Sequence, residues 1–114
     1  MAEEQEQETS FRDLKLPEIK QLIDSGDYDV VDVREGWERT KGHIPGSRHA
    51  VLAAILANPQ AHQFKPHTIF VCEVGERSAV ASEMAVALGV EDVVNFRGGH
   101  QAWREAGLPM EEGL

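Results

Sequence analysis

One stretch of this 114-residue sequence concentrates the residue types that do chemistry: Cys72-Glu73-Val74-Gly75-Glu76-Arg77-Ser78. Cys72 is the only cysteine, so its thiol has no internal disulfide partner. It stands where an apolar run ends and a helical pattern begins. A short loop leading into a helix aims several backbone N–H groups inward, and the helix dipole adds partial positive charge. An anion at the centre of such a loop is stabilised. If that anion is the sulfur of Cys72, a thiolate nucleophile is available at neutral pH. Gly75 lets the loop curl, since it takes backbone angles barred to other residues. Arg77 adds a permanent positive charge at the loop's end. On spacing alone a second reading stands beside this one: Cys72 as a small buried strand-end hydrophobe, and Arg77 as a surface charge.

The elements that must position this loop follow from the flanking pattern. Residues 28–33, 68–72 and 92–96 read as strands. They are rich in Val, Ile and Phe without strict alternation, which suits a sheet covered on both faces. Leu16-Pro17-Glu18 reads as a helix start, with Ile19, Leu22 and Ile23 on one face and Gly26 as the stop. Further helical segments cover 51–57, 78–88 and 100–105. Val80, Met84, Ala87 and Leu88 are the expected buried stripe of the second, and Gly89 its end. Gly107 and Pro109 close the third. Trp37 and Trp103 fall in helical stretches and read as packing residues. Alternating strands and helices predict an α/β domain whose central, mostly parallel sheet carries helices on both faces. Its carboxyl edge, where ligands bind in open α/β sheets, holds both Cys72 and Asp32.

Composition narrows the function classes. The length suits one domain. Residues 1–8 contain four glutamates and read as a disordered acidic tail, leaving 9–114 as the folded unit. The formal net charge is −9, so nucleic acid and anionic lipid are poor partners, whereas a basic protein is a possible one. No apolar run is long enough to span a bilayer, and no basic-then-apolar leader opens the chain. A single free cysteine fits a reducing cytosol. His43, His49, His62, His67 and His100 show no paired metal-ligand spacing, so no metal site is expected.

Four motifs together give the chain a resemblance. The loop is similar to the Cys-x-x-Gly-x-Arg-Ser active loop of the rhodanese family. Val31-Asp32-Val33-Arg34-Glu35, with Glu38 beyond, resembles the family's strand-end signature. Gly42-His43-Ile44-Pro45-Gly46-Ser47 resembles its Gly-His-Ile-Pro-Gly-Ala hexapeptide. Gly98-Gly99, Trp103 and Gly107-Leu108-Pro109 resemble its closing pattern. The resemblance runs from about Leu16 to Pro109.

It implies a rhodanese-like α/β fold and a sulfurtransferase that holds sulfane sulfur as a persulfide on Cys72. The loop residues Glu73, Val74, Gly75, Glu76, Arg77 and Ser78 would surround the bound sulfur, much as an oxyanion hole surrounds charge. No cofactor is needed. The donor would be a small sulfur compound or a persulfide-bearing protein, and the acceptor a thiol or cyanide. Asp32 is expected to accept hydrogen bonds from the loop backbone or from Arg34, or else to cap the next helix. Arg34 and Glu38 are expected in an internal ion network, and His43 as a hydrogen-bonded structural histidine.

Two rival functions share the fold: a phosphatase or arsenate reductase, and a non-catalytic binding module. Phosphatases of this type use a Cys-x5-Arg loop, one residue longer, to encircle a tetrahedral oxyanion; here Arg77 follows Cys72 by five positions. Three departures from the family pattern stand out. Ser47 replaces the usual alanine, and Arg39 stands where an aromatic residue is common. Glu73 and Glu76 against Arg77 leave the loop at a nominal −1, which predicts poor use of thiosulfate.

Overall fold

The computed structural model describes residues 10–114, so the acidic tail expected over 1–8 lies outside the described residues. Chain order runs β1 (Arg12–Leu14), α1 (Leu16–Ser25), β2 (Asp29–Asp32), α2 (Gly36–Lys41), β3 (Arg48–His49) and α3 (Leu52–Ala57). A 3-10 turn (Pro59–His62) leads on to β4 (Thr68–Val71), α4 (Glu76–Ala87), β5 (Val93–Phe96) and α5 (Gly99–Glu105). The five strands form one sheet in the order β1-β5-β4-β2-β3, and every strand pair is parallel. Among the described residues no helix is long and apolar enough to cross a membrane.

The three apolar runs make the centre of the sheet because each buries both of its faces. Successive side chains point to opposite sides. Val31, Phe70, Cys72 and Val93 therefore join Ile55 of α3 and Ala81 and Ala85 of α4 in one cluster. Val30, Ile69, Val71, Val94 and Phe96 join Ile19 of α1 and Trp103 of α5 in the other. Register pairs Asp32 with Val71, so Asp32 and Cys72 emerge at the same carboxyl edge of neighbouring strands.

Two expectations are corrected. The buried face of α4 is Ser78, Ala81, Ser82 and Ala85, while Val80 and Leu88 are exposed. Positions 78, 81, 82 and 85 share one helical face, and their small side chains let the helix lie close over the sheet. Of the expected stripe Met84 alone packs, partly buried, against the core; Val80, Ala87 and Leu88 face away from it. Trp37 is 65 % exposed and does not pack in the core, unlike Trp103, whose indole N–H donates to the Pro109 carbonyl.

Candidate active site

Cys72 follows the last residue of β4, and its sulfur lies on the face covered by α4. The Gly75 N–H donates to Sγ at 3.1 Å, and the Ser78 hydroxyl lies 3.3 Å from it. Gly75 takes φ +98°, the left-handed region, which turns the chain back over the sulfur into α4. A Cβ at this position would sit 2.2 Å from the Arg97 carbonyl oxygen, so space and backbone angle both demand glycine. Cys72 exposes none of its surface.

The loop is held from below by the start of α5. The His100 N–H donates to the Cys72 carbonyl at 2.9 Å, and the Gln101 N–H donates to the Glu73 carbonyl at 3.0 Å. Each peptide unit is planar and trans. With these two carbonyls turned onto α5, the N–H groups of Glu73 and Val74 face the other way, into the loop. Gly99 makes this contact possible: its φ is +64°, and an added Cβ would lie 2.4 Å from the Glu73 oxygen.

His100 is the residue that sequence reasoning missed. Its Nε2 accepts the Ile44 N–H at 3.3 Å, so the neutral ring carries its proton on Nδ1, which donates to the Cys72 carbonyl at 3.0 Å. Burial, reinforced by the Arg34 charge, pushes its pKa down to about 4. The ring thereby ties the hexapeptide turn to the loop. The only sequence signal was its place after Gly98-Gly99.

Beneath the loop sits an ion network. Asp32 is fully buried; its Oδ1 accepts from the Arg34 backbone N–H and Nε, and its Oδ2 from Arg34 Nη2 and Arg39 Nη1. Burial alone would raise the Asp32 carboxyl, but the Arg34 hydrogen bonds bring it below its ordinary value. Of the roles expected for Asp32, the Arg34 contact is the one seen. The cap of α2 is Glu35, in a reciprocal capping box with Glu38. His43 is engaged elsewhere, through Nδ1 to the Arg39 carbonyl.

Two departures from the family pattern meet here. Buried Arg39 donates to the Ser47 hydroxyl at 3.1 Å and to the Ser47 carbonyl at 2.6 Å. The serine that replaces alanine thus solvates the guanidinium that replaces an aromatic ring.

Two of the three loop charges are paired with residues outside the loop. Glu73 is not a free anion: Arg34 Nη1 lies 3.3 Å from its Oε1, and Arg104 Nη1 lies 2.9 Å from its Oε2. Burial opposes its ionisation, but these arginines win and hold its pKa below the usual value. Nor is Arg77 a free cation. It grips Glu38 with two bonds, at 2.7 and 2.9 Å, which hold its pKa above the ordinary value. Val74 and Glu76 are exposed at the loop's rim. Among the described residues no group of three or more His, Cys, Asp or Glu side chains is placed to hold a metal ion.

Similarity to known proteins agrees with this arrangement. The chain is 32 % identical over 85 % of its length to thiosulfate sulfurtransferase GlpE of Pseudoalteromonas translucida, covering 92 % of that protein. It is 31 % identical to thiosulfate:glutathione sulfurtransferase of Homo sapiens, over 81 % of this chain and 92 % of that one. Its fold matches a Rhodopseudomonas palustris protein of unknown function, for which tyrosine phosphatase has been suggested. The TM-score is 0.75 at 34 % identity, over 89 % of this chain and 85 % of that one. Residues 15–106 match the rhodanese-like domain, and the chain belongs to that family.

Proposed function

We propose that this protein is a rhodanese-type sulfurtransferase that carries sulfane sulfur on Cys72. The observation that carries the reading is the floor of the loop: a strand-end thiol facing the Gly75 N–H and the Ser78 hydroxyl, with its own carbonyl pinned by α5. The Cys72 thiolate attacks the outer sulfur of a donor such as thiosulfate. The new bond is Cys72 Sγ–S, the donor S–S bond breaks, and its electron pair leaves on sulfite. The outer sulfur then bears the negative charge, and the inward N–H groups of the loop are the donors aimed at it. Cyanide or a thiolate next attacks that sulfur, and the pair returns to Cys72. A reducing cytosol, which keeps a lone thiol free, suits this cycle.

The phosphatase suggestion attached to one structural neighbour transfers poorly. The loop here has four residues between Cys72 and Arg77, and both ends of the Arg77 guanidinium are committed to Glu38. A phosphate dianion would have to displace that carboxylate.

Intact mass after incubation with thiosulfate tests the reading. The expected result is one added sulfur, about 32 Da, removed by a thiol reductant and absent from Cys72→Ser. The variant should fold nearly as well, because the new hydroxyl meets the same Gly75 and Ser78 partners, at a cost of about 1 kcal/mol. An unloaded wild type, or loading of the serine variant, sinks the assignment.

A further inference from the structure

The four residues of β5, Val93-Val94-Asn95-Phe96, are all buried, and Asn95 is the polar exception among them. Strand alternation puts its side chain on the same face of the sheet as Val93, the face that also carries Cys72 and α4. The Asn95 amide nitrogen donates to the Gly75 carbonyl at 3.2 Å and to the carboxylate of Asp13, its register partner on β1, at 3.0 Å. Both partners are acceptors, so the amide cannot turn over, and both of its N–H groups are engaged. Its Oδ1 is left buried without a partner, the only such side-chain atom among the described residues. An orphaned buried carbonyl weakens a fold, and an apolar residue at this position would avoid it. The nitrogen, by contrast, reaches the loop that holds Cys72.

We infer that Asn95 is a positioning residue for sulfur transfer, clamping the far end of the loop to β5 and β1. The inference rests on the persulfide reading above and adds the residue that keeps the loop's donors aimed. Gly75 has no side chain to hold it, and its own N–H is the donor 3.1 Å from Cys72 Sγ. Its carbonyl accepts two bonds, one from Asn95 and one from the Ala79 N–H at 3.3 Å, the first turn of α4. The peptide that follows is planar and trans. With the Gly75 carbonyl drawn toward β5 and α4, the Glu76 N–H points the opposite way, out of the helix's first turn and into the loop. His100 and Gln101 anchor the loop's beginning through the Cys72 and Glu73 carbonyls, and Asn95 anchors its end. The cradle thus keeps its shape while negative charge moves from the Cys72 thiolate to the outer sulfur.

The test follows single-turnover loading from thiosulfate by intact mass, across thiosulfate concentrations, and measures the urea midpoint of each protein. Asn95→Leu keeps the branched shape while removing both donors and the orphaned oxygen. It should lower the maximal loading rate by roughly tenfold, less than the loss from deleting an oxyanion-hole donor outright. The half-saturating thiosulfate concentration should stay the same, because buried Asn95 does not meet the donor. Its urea midpoint should equal or exceed that of wild type, since the Gly75 carbonyl keeps Ala79 and exposed Asp13 turns to water. Slower chemistry in an equally stable protein is a result that a merely structural role would not give. Asp13→Ala should slow loading by roughly threefold, and it should add nothing in the Asn95→Leu background, because both act through one hydrogen-bonded chain. A wild-type loading rate in Asn95→Leu overturns the clamp, as does a change confined to half-saturation or additive slowing in the double variant. Should Asn95→Leu fail to fold, Asp13→Ala decides alone, and loading at the wild-type rate overturns the clamp. A wild type that takes up no sulfur refutes the sulfurtransferase reading, and the inference falls with it, before any variant is compared.

Discussion

His100 shows how much one buried ring can decide. It bridges Ile44 and the Cys72 carbonyl only while neutral, and a second proton on Nε2 would displace the Ile44 N–H. In the native protein its pKa is about 4, whereas an unfolded histidine titrates near 6.5. Between those values the unfolded chain takes up a proton that the native one refuses. The stability is therefore complete above about pH 6.5 and declines as pH falls toward about 4, by on the order of 3 kcal/mol. Urea midpoints measured from about pH 7 to about pH 5 should fall in wild type and fall less in His100→Phe, whatever the variant's absolute stability. Parallel slopes would show that other groups set the acid limb. At this scale the sequence displayed Cys72 but not its surroundings. Glu73 and Arg77 looked like free charges because their partners Arg104 and Glu38 lie 31 and 39 positions away along the chain. Arg39 and Ser47 looked like two separate irregularities until folding brought them into one hydrogen-bonded pair.

The contact between α5 and the loop makes a sharper demand on sequence than either element alone. Gly99→Ala places a methyl 2.4 Å from the Glu73 oxygen at a backbone angle that already favours glycine. The loop must then rise from α5, and the two carbonyl anchors loosen together. Gly26, at the end of α1, also has positive φ, but nothing lies within 4 Å of an added Cβ. Gly26→Ala should cost about 1 kcal/mol of backbone strain and leave sulfur loading intact. Gly99→Ala should cost more stability and slow loading by tenfold or more, as expected when reacting groups are misplaced by about 1 Å. Equal loading rates in the two variants would show that the anchors do not shape the cradle. The strands that bury both faces were legible because Val, Ile and Phe have few other uses in such runs. β1 and β3 were not: they are three and two residues long, mostly polar, and exist only by pairing at the sheet's edges. The face of α4 was misread because close packing over a sheet selects small side chains, which hydropathy does not flag.

Charge acts over the whole molecule, and its balance differs between near and far. Around the loop the ion pairs nearly cancel, so the repulsion of thiosulfate expected from Glu73 is locally weak. The formal charge of −9 remains, and four of those charges are Glu3, Glu4, Glu6 and Glu8. At low ionic strength, where the Debye length reaches about 30 Å, a dianion approaching the loop feels that total. At physiological salt the length is about 8 Å, and only the balanced neighbourhood counts. The kcat/KM for thiosulfate should therefore rise as salt is added from the low range and level off near physiological strength. Replacing the four glutamates with glutamine should flatten the rise without changing the plateau, because the loop's own pairs are untouched. A neutral donor should show neither effect. A rate that falls with salt from the outset would mean that the arginines at the loop's mouth attract thiosulfate strongly enough to overcome the net charge. The balance drawn from the Arg104–Glu73 and Arg77–Glu38 pairs would then be wrong in sign.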